Sequence, residues 1–476
     1  MRPLFVLLAL CGLCRPTLTA QTLTFHRSYG GSAGYDDARS IVPTNDGGFV
    51  FTGLCQSGDD ADGDLYLTKI NAAGAVLWTK SYGRAAEDGG NHLLPTRDGG
   101  FLVTGHTAFT YGISCDGYVV KTDAKGQLQW YALVGTAFDD VCDAAVELED
   151  GTFLVAGRTE DPVSHRFRVL LAGISSRGDV LYTRALPGEQ MEVAYAMTRA
   201  TDGHLLLAGY TSAGGPATER MLLLKCTVEG QVIWRESWQN GNRAERAHAL
   251  VAMPDGGCVV VGGGHDATYQ PTQMVAIRCD ALGERTQATL LLSDAGPGNL
   301  TNVQITSEGH IVVGGTLQRE KDTHAQPWVA WLDQNLLLLE QRTLPIAAAC
   351  RTRCMALTGN GAVVIGGQVG VESAATDAFL EKIASPWATT GRQEVATTPL
   401  LLFPNPCHDL AYLKIDAPEI SKILTLLTLD GRPVRAWSFA GEEYLIERGD
   451  LPTGTYLFTV RDKQGRQLAA GRLAVD

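Results

Sequence analysis

One eight-residue signature recurs seven times along this 476-residue chain, and its spacing constrains the fold more than any other feature. An acidic or amide residue is followed by Gly, one or two further residues, an apolar triplet and a closing Gly. The first copy is Asp46-Gly47-Gly48-Phe49-Val50-Phe51-Thr52-Gly53. The others start at Asp98-Gly99, Asp150-Gly151, Asp202-Gly203, Asp255-Gly256, Glu308-Gly309 and Asn360-Gly361, at intervals of 52, 52, 52, 53, 53 and 52 residues. A period of this length means one supersecondary unit stacked on copies of itself. The 54 glycines fit that reading, because each copy needs several tight turns.

Each copy holds four strand-like pieces, clearest in the second. Asn91 to Thr96 is a short strand, and Arg97-Asp98-Gly99-Gly100 is a turn that permits positive φ. Phe101 to Gly105 is an apolar strand, and Tyr118 to Asp123 a third one after a polar loop. The turn Ala124-Lys125-Gly126 leads to Leu128-Gln129-Trp130-Tyr131. An aromatic stands four residues after that turn glycine in four copies, as Trp78, Trp130, Tyr182 and Trp234. In the sixth copy Leu339 is assigned to the aromatic position. No stretch of ten residues has helical periodicity. The expected fold is all-β: a seven-bladed β-propeller over residues 21–385, with four antiparallel strands per blade. The seventh copy stops after its third strand, Ala378 to Ile383. The segment Leu23-Thr24-Phe25-His26-Arg27-Ser28-Tyr29-Gly30 matches the fourth strand Leu77 to Gly83, so it is expected to complete the last blade and close the ring.

The string Tyr29-Gly30-Gly31, Asp36-Asp37 and Asp46-Gly47-Gly48 resembles the secreted propeller repeats called SBBP repeats. That resemblance covers about residues 22–385; it implies a fold and a location outside the cytoplasm, and no shared catalytic residue.

The flanks suggest export. Residues 1–20 read as a signal peptide, with Arg2, the apolar run Leu4 to Leu10, and Thr19-Ala20 before Gln21. Leu precedes both Cys11 and Cys14, which disfavours a lipoprotein. No later run is long enough for a transmembrane helix. Residues 386–400 form a linker, and 401–476 read as a small C-terminal β-sandwich. There, Pro404-Asn405-Pro406, Asp430-Gly431-Arg432-Pro433-Val434 and Leu451-Pro452-Thr453-Gly454-Thr455-Tyr456 resemble the type A C-terminal sorting domain of Bacteroidetes type IX secretion cargo. The resemblance makes Pro404, Asn405, Pro406, Asp430, Gly431, Leu451, Pro452, Gly454 and Tyr456 the sorting motif, and the type IX machinery a partner. The acidic last residue, Asp476, departs from that pattern.

Chemistry is sparse. Net charge is −13, and losing Arg2 and Arg15 with the leader makes it −15, which repels nucleic-acid backbones. Gly30-Gly31-Ser32-Ala33-Gly34 matches GxSxG, but it joins strands of neighbouring blades rather than a strand to a helix. Asp59-Asp60-Ala61-Asp62-Gly63-Asp64 has alternating oxygens like a calcium loop, without the downstream bidentate Glu, and reads as a solvated loop. The pairs Asp36-Asp37 and Asp139-Asp140, at equivalent repeat positions, read as turn caps or as blade-to-blade hydrogen bonds. His106, His165, His204, His248 and His265 read as surface residues. Nine cysteines follow the leader; Cys350 and Cys354 either bridge or stay free. The fourth-strand aromatics are expected to pack between blades. No catalytic residue, cofactor or metal site is assigned, and a monomer is expected. The reading is a non-enzymatic secreted or surface protein that binds a glycan or protein through the loops between second and third strands. The alternative is an extracellular polysaccharide hydrolase or lyase with its site at the propeller channel.

Overall fold

The computed structural model describes residues 23–386 apart from 31–33, 57–62, 84–86, 109–113, 137, 189, 216–217, 240–243, 267–270, 291–296, 319–323, 345, 347 and 371–375, and residues 400–475 apart from 404–407, 416–420, 429–432 and 463–466. The signal segment, Ser32, Asp59 to Asp62, Pro404, Asn405, Pro406, Asp430 and Gly431 therefore lie outside the described residues. The chain divides into two compact units between Pro386 and Trp387.

The first unit is seven four-stranded antiparallel sheets with β-propeller-like organisation. Sheet 1 runs Ser40–Pro43, Phe49–Cys55, Asp64–Ile70, Val76–Ser81, and sheet 2 runs Asp88–Pro95, Phe101–Ala108, Cys115–Thr122, Leu128–Val134. Sheets 3 to 6 repeat that order, with first strands at Asp140–Glu147, Met191–Arg199, Ala244–Ala252 and Gly298–Ile305. Sheet 7 takes Cys350–Leu357, Val363–Gly370 and Thr376–Ile383 from one end of the array and Leu23–Tyr29 from the other. The latter pairs antiparallel with the third strand, Leu23 opposite Ile383 and Tyr29 opposite Ala378.

The signature has a local cause. Its glycine sits at φ between +76° and +87° in all seven copies, a region where a Cβ is penalised. The acidic side chain folds back onto the turn: Asp46 Oδ1 accepts from Gly48 N at 3.0 Å and Asp98 Oδ1 from Gly100 N at 3.0 Å. It also receives a buried cation from the third strand: Lys69 reaches Asp46 at 2.7 Å, Lys121 reaches Asp98 at 2.8 Å and Lys225 reaches Asp202 at 2.6 Å. Arg278 and Asp255 repeat the pair. A buried ammonium without a partner is costly, so turn and strand specify each other.

The sheets interlock through the outer aromatics. The Trp78 ring covers Gly126 of the next sheet so closely that a Cβ there would lie 2.8 Å away; Trp130 covers Gly178 and Trp234 covers Gly283 in the same way. Tyr182 donates to Val228 O in the corresponding turn. Phe25 covers Gly74 of sheet 1, and Tyr29 donates to Gly74 O at 2.9 Å, as Tyr82 donates to Gly126 O at 2.6 Å. Sheet 6 inverts the device. Leu336, at φ +60° and 1% exposed, stands where other sheets have glycine. The facing strand of sheet 5 carries Gln287, opposite Arg278, in place of the aromatic. Register also corrects one sequence assignment. Glu340 pairs with Trp331 as Trp78 pairs with Lys69, so Glu340, not Leu339, holds the aromatic position. With Leu336 replacing the turn glycine, the landmark for counting is missing.

The second unit pairs a three-stranded sheet (Leu400–Phe403, Leu410–Ile415, Glu443–Glu447) with a four-stranded one in the order Pro433–Phe439, Lys422–Leu427, Gly454–Asp462, Gln467–Val475. Leu413 and Ile446 of the first share one core with Leu424, Phe458 and Leu473 of the second.

Candidate functional site

The first strands lie against one another from sheet to sheet, and that of sheet 1 also lies against that of sheet 7. Sheets 2 to 7 each carry a β-bulge at the same place in the first strand, which leaves Asn91, Asp143, Tyr195, His248, Thr301 and Arg353 unpaired in register. Arg39 holds the matching position in sheet 1, just before Ser40. A bulge tips its extra residue out of the pleat and re-aims the side chain. All seven residues are half-buried.

Their side chains meet across sheet boundaries. Arg39 Nε donates to Asp37 Oδ2 at 2.8 Å and its Nη1 to Asn91 Oδ1 at 3.0 Å. Asn91 Nδ2 passes the chain on to Asp143 Oδ1 at 2.9 Å, and Arg158 Nη1 holds Asp143 Oδ2 at 3.3 Å. The Tyr195 and His248 rings stack at 5.7 Å and 15°. Asn299 Nδ2 lies 3.1 Å from His248 Nε2, and Thr301 Oγ1 donates to Thr352 O at 3.2 Å. Arg353 Nε stands 3.6 Å from Asp37, which joins sheet 7 to sheet 1. Beside this set, Glu219 accepts from Arg246 Nη2 at 2.6 Å and lies 2.7 Å from His265 Nε2, while Arg246 covers the Tyr210 ring at 4.4 Å.

Burial sets the protonation. It pulls His248 down to about 4, helped by Arg246, so the imidazole is neutral near pH 7; Nε2 accepts from Asn299 and the proton sits on Nδ1. Burial also pushes the Asp143 carboxyl above the usual range, against the pull of Arg158. Desolvation opposes the Arg39 charge, but Asp37 outweighs it and holds the guanidinium protonated. The assembly offers donors, acceptors, one ring pair and fixed charges, and only the arginine recurs, in sheets 1 and 7.

The residues singled out from sequence fall elsewhere. Asp37 Oδ1 accepts from Leu54 N at 2.9 Å, Asp36 Oδ1 from Gln56 N at 3.1 Å and Asp139 Oδ1 from Cys115 N at 3.0 Å, so these carboxylates do cap backbone. The pairs share one repeat position rather than two, because Asp36 faces Cys55 as Asp140 faces Thr159. His165 is exposed and His106 and His204 are half-buried, whereas His265 is buried and His248 is half-buried with its ring stacked on Tyr195, so for these last two the surface assignment is overturned; a first-strand bulge holds His248 and a strand end packed on Glu219 holds His265. Cys350 and Cys354 are free thiols. In the second unit Leu451 and Tyr456 are buried, Tyr456 donates to Pro452 O at 2.9 Å, and Gly454 opens a strand. Apart from His248, named from sequence only as a surface residue, the bulge residues escaped the sequence reading. Their signal is a column seven residues before the signature's first residue, the same in every copy.

No family model matches the chain, and no curated protein does. The two resemblances therefore rest on the residues quoted for them. Among solved structures, PorZ, a bacterial surface component of the type IX secretion system of Porphyromonas gingivalis, has 11% identity and a TM-score of 0.32 over 92% of this chain and 81% of that one. A Dyadobacter fermentans protein of unknown function has 11% identity and a TM-score of 0.45 over 77% of this chain and 98% of that one. Puromycin hydrolase has 15% identity and a TM-score of 0.47 over 90% of this chain and 59% of that one. These likenesses say nothing about chemistry.

Proposed function

We propose that this is a secreted or surface-attached, non-enzymatic propeller whose seven sheets close into a ring, and that it binds an oxygen-rich ligand at the girdle of first-strand bulge residues. One observation carries the reading: a single repeat position holds Arg39, Asn91, Asp143, Tyr195, His248, Thr301 and Arg353, while the turns and strands around it repeat. Selection for packing alone would favour like residues at like positions. The bulges lie in the half of each first strand that faces the far end of the second strand, as Asp88 faces Thr107. The variable loops leave from that same end, so they would frame the ligand that the girdle reads.

Hydroxyl-rich ligands suit such a surface, with Asn and Thr hydrogen-bonding and the Tyr195–His248 pair offering a ring face. A glycan is the favoured class. A screen of the mature chain, residues 21–476, against glycans and surface proteins tests it. Binding that falls with Asn91→Ala and Tyr195→Ala, at unchanged melting temperature, supports the site. Turnover of a polysaccharide would refute the non-enzymatic reading. A hydrolase or lyase at the same place is the second reading, carried by Asp143, a carboxyl raised by burial and capable of proton transfer.

The second unit acts, in this proposal, as a β-sandwich sorting domain for type IX export. Deleting residues 401–476 should leave the protein in the periplasm. Normal appearance of the truncated protein outside the cell would refute the sorting role.

A further inference from the structure

We infer that Cys258 and Cys279 of sheet 5 become joined by a cross-strand disulfide when the chain folds in an oxidising compartment, a modification the other six sheets cannot form at the same position. The inference goes beyond ligand binding and rests on the proposed function only for export, which supplies that compartment.

Register sets the two side by side. Cys258 opens the second strand of sheet 5, Cys258–His265, and stands directly opposite Cys279, the last residue of the third, Pro271–Cys279. Directly opposed residues of an antiparallel pair have Cβ atoms about 4.5–5.5 Å apart, and a disulfide spans about 3.5–4.5 Å, so a small adjustment suffices. Both side chains lie in one core cluster with Leu206 and Leu223 of sheet 4, and each residue is 1% exposed. The Cys279 thiol donates a hydrogen bond to the Cys258 sulfur. Both are thiols in this structure. Among the described residues no third His, Cys, Asp or Glu completes a metal-binding set with them.

The same position in the other sheets shows that packing does not call for sulfur. Phe49, Phe101 and Phe153 stand in the place of Cys258 in sheets 1 to 3, and Leu205, Ile311 and Val363 in sheets 4, 6 and 7. Sheet 4 pairs its leucine with Cys226, but only sheet 5 has a sulfur on both sides. Two thiols bury less apolar surface than a phenylalanine and its partner do. A covalent tie offsets that loss, because it restricts the unfolded chain. Sheet 5 is also a sheet whose fourth strand carries Gln287 in place of an interlocking aromatic, so the tie adds order where a contact between sheets is missing.

The bond forms by thiol–disulfide exchange, with a small-molecule or protein disulfide as the oxidant. The thiolate of one cysteine attacks that disulfide, forms a mixed disulfide and releases one of its sulfurs as a thiolate. The other cysteine, also as thiolate, then attacks the first cysteine's sulfur and releases the second. Two cysteine thiols become one disulfide, and the oxidant takes up two electrons and two protons to become two thiols. The hydrogen bond to Cys258 and burial hold the folded Cys279 thiol protonated, whereas the thiolate is the reactive form. Exchange therefore belongs to the stage of folding before sheet 4 covers the pair.

Refolding the reduced mature chain, residues 21–476, with and without oxidised glutathione tests the inference apart from export. Alkylation, digestion without reduction and mass spectrometry should find the Cys258 and Cys279 peptides linked in most molecules refolded with the oxidant. Recovery of both as free thiols, or of either linked to a different cysteine, would overturn the disulfide. Reducing the linked protein should lower its urea midpoint by roughly 0.5 M. Cys258→Ala and Cys279→Ala should each abolish that response to reductant, and an equal response in either variant would assign it to another pair and overturn the inference. Where a variant does not fold, the peptide map of the parent decides. Protein retained in the cytoplasm of its own cells would overturn the export reading and leave the bond formed on refolding intact.

Discussion

Glu381 lies in the third strand of sheet 7, directly opposite His26 of the strand Leu23–Tyr29, and only 5% of it is exposed. Its Oε2 has no hydrogen-bond partner among the described residues, and His26 Nδ1 stands 3.9 Å away. Burial pushes the carboxyl up to about 7. The unfolded value is about 4.3, so the folded state holds this proton more tightly than the unfolded chain does. The contribution to stability is therefore fully present below about pH 4 and is lost as pH rises through about 7. Moving the carboxyl from about 4.3 to about 7 corresponds to about 3–4 kcal/mol over that window. Glu381→Gln removes the titration and keeps the shape. It should match the parent near pH 4 and exceed it by about 3–4 kcal/mol near pH 8. Urea unfolding at several pH values, with hydrogen exchange of residues 23–29 and 376–383, measures the difference between the two proteins, so other titrating groups cancel. A variant-minus-parent difference that stays constant from pH 4 to pH 8 would refute the reasoning.

Other outcomes follow from the turns, the sheet 6 exception and the thiols. Gly99 and Gly126 share positive φ, but only Gly126 is covered by Trp78; Gly99→Ala should cost roughly 1–2 kcal/mol and Gly126→Ala about 1–3 more, read as urea midpoints. Equal losses would deny the interlocking role of Trp78. Leu336→Gly relieves a left-handed backbone but empties a buried site, so a net loss of about 2 kcal/mol or more is expected. Adding Gln287→Trp should recover part of that loss by rebuilding the Trp234–Gly283 contact, and a purely additive double variant argues against it. Burial pushes the Cys226 and Cys350 thiols up to about 12, so peptide mapping should find them alkylated only in unfolded protein.

The sheets were legible because the repeat writes its turns in glycine, and positive φ leaves little choice of residue. The interlocking aromatics were legible for the same reason, each fixed at four residues from its own turn glycine. The girdle was not, although its column is as regular. A search for recurrence rewards like residues at like positions, and Arg39, Asn91, Asp143 and Tyr195 share nothing but spacing. The bulge that turns Asn91, Asp143 and Tyr195 out of the pleat adds one residue without changing the repeat length, so periodicity cannot reveal it. Buried His265 was missed because its partner, Glu219, stands on the third strand of the preceding sheet.

The pairing of Leu23–Tyr29 with Thr376–Ile383 also sets an order of events in time. Every other hydrogen-bonded strand pair of the first unit joins segments close in sequence, whereas this one closes a loop of about 360 residues. Closing such a loop costs about 5 kcal/mol of chain entropy in the ideal limit, before any contact repays it. Six sheets can therefore assemble in turn as the chain becomes available, while the seventh waits for both ends. Until it forms, Leu23–Tyr29 and Thr376–Ile383 are unpaired edges, and the unfinished array is at its most exposed to association with other chains.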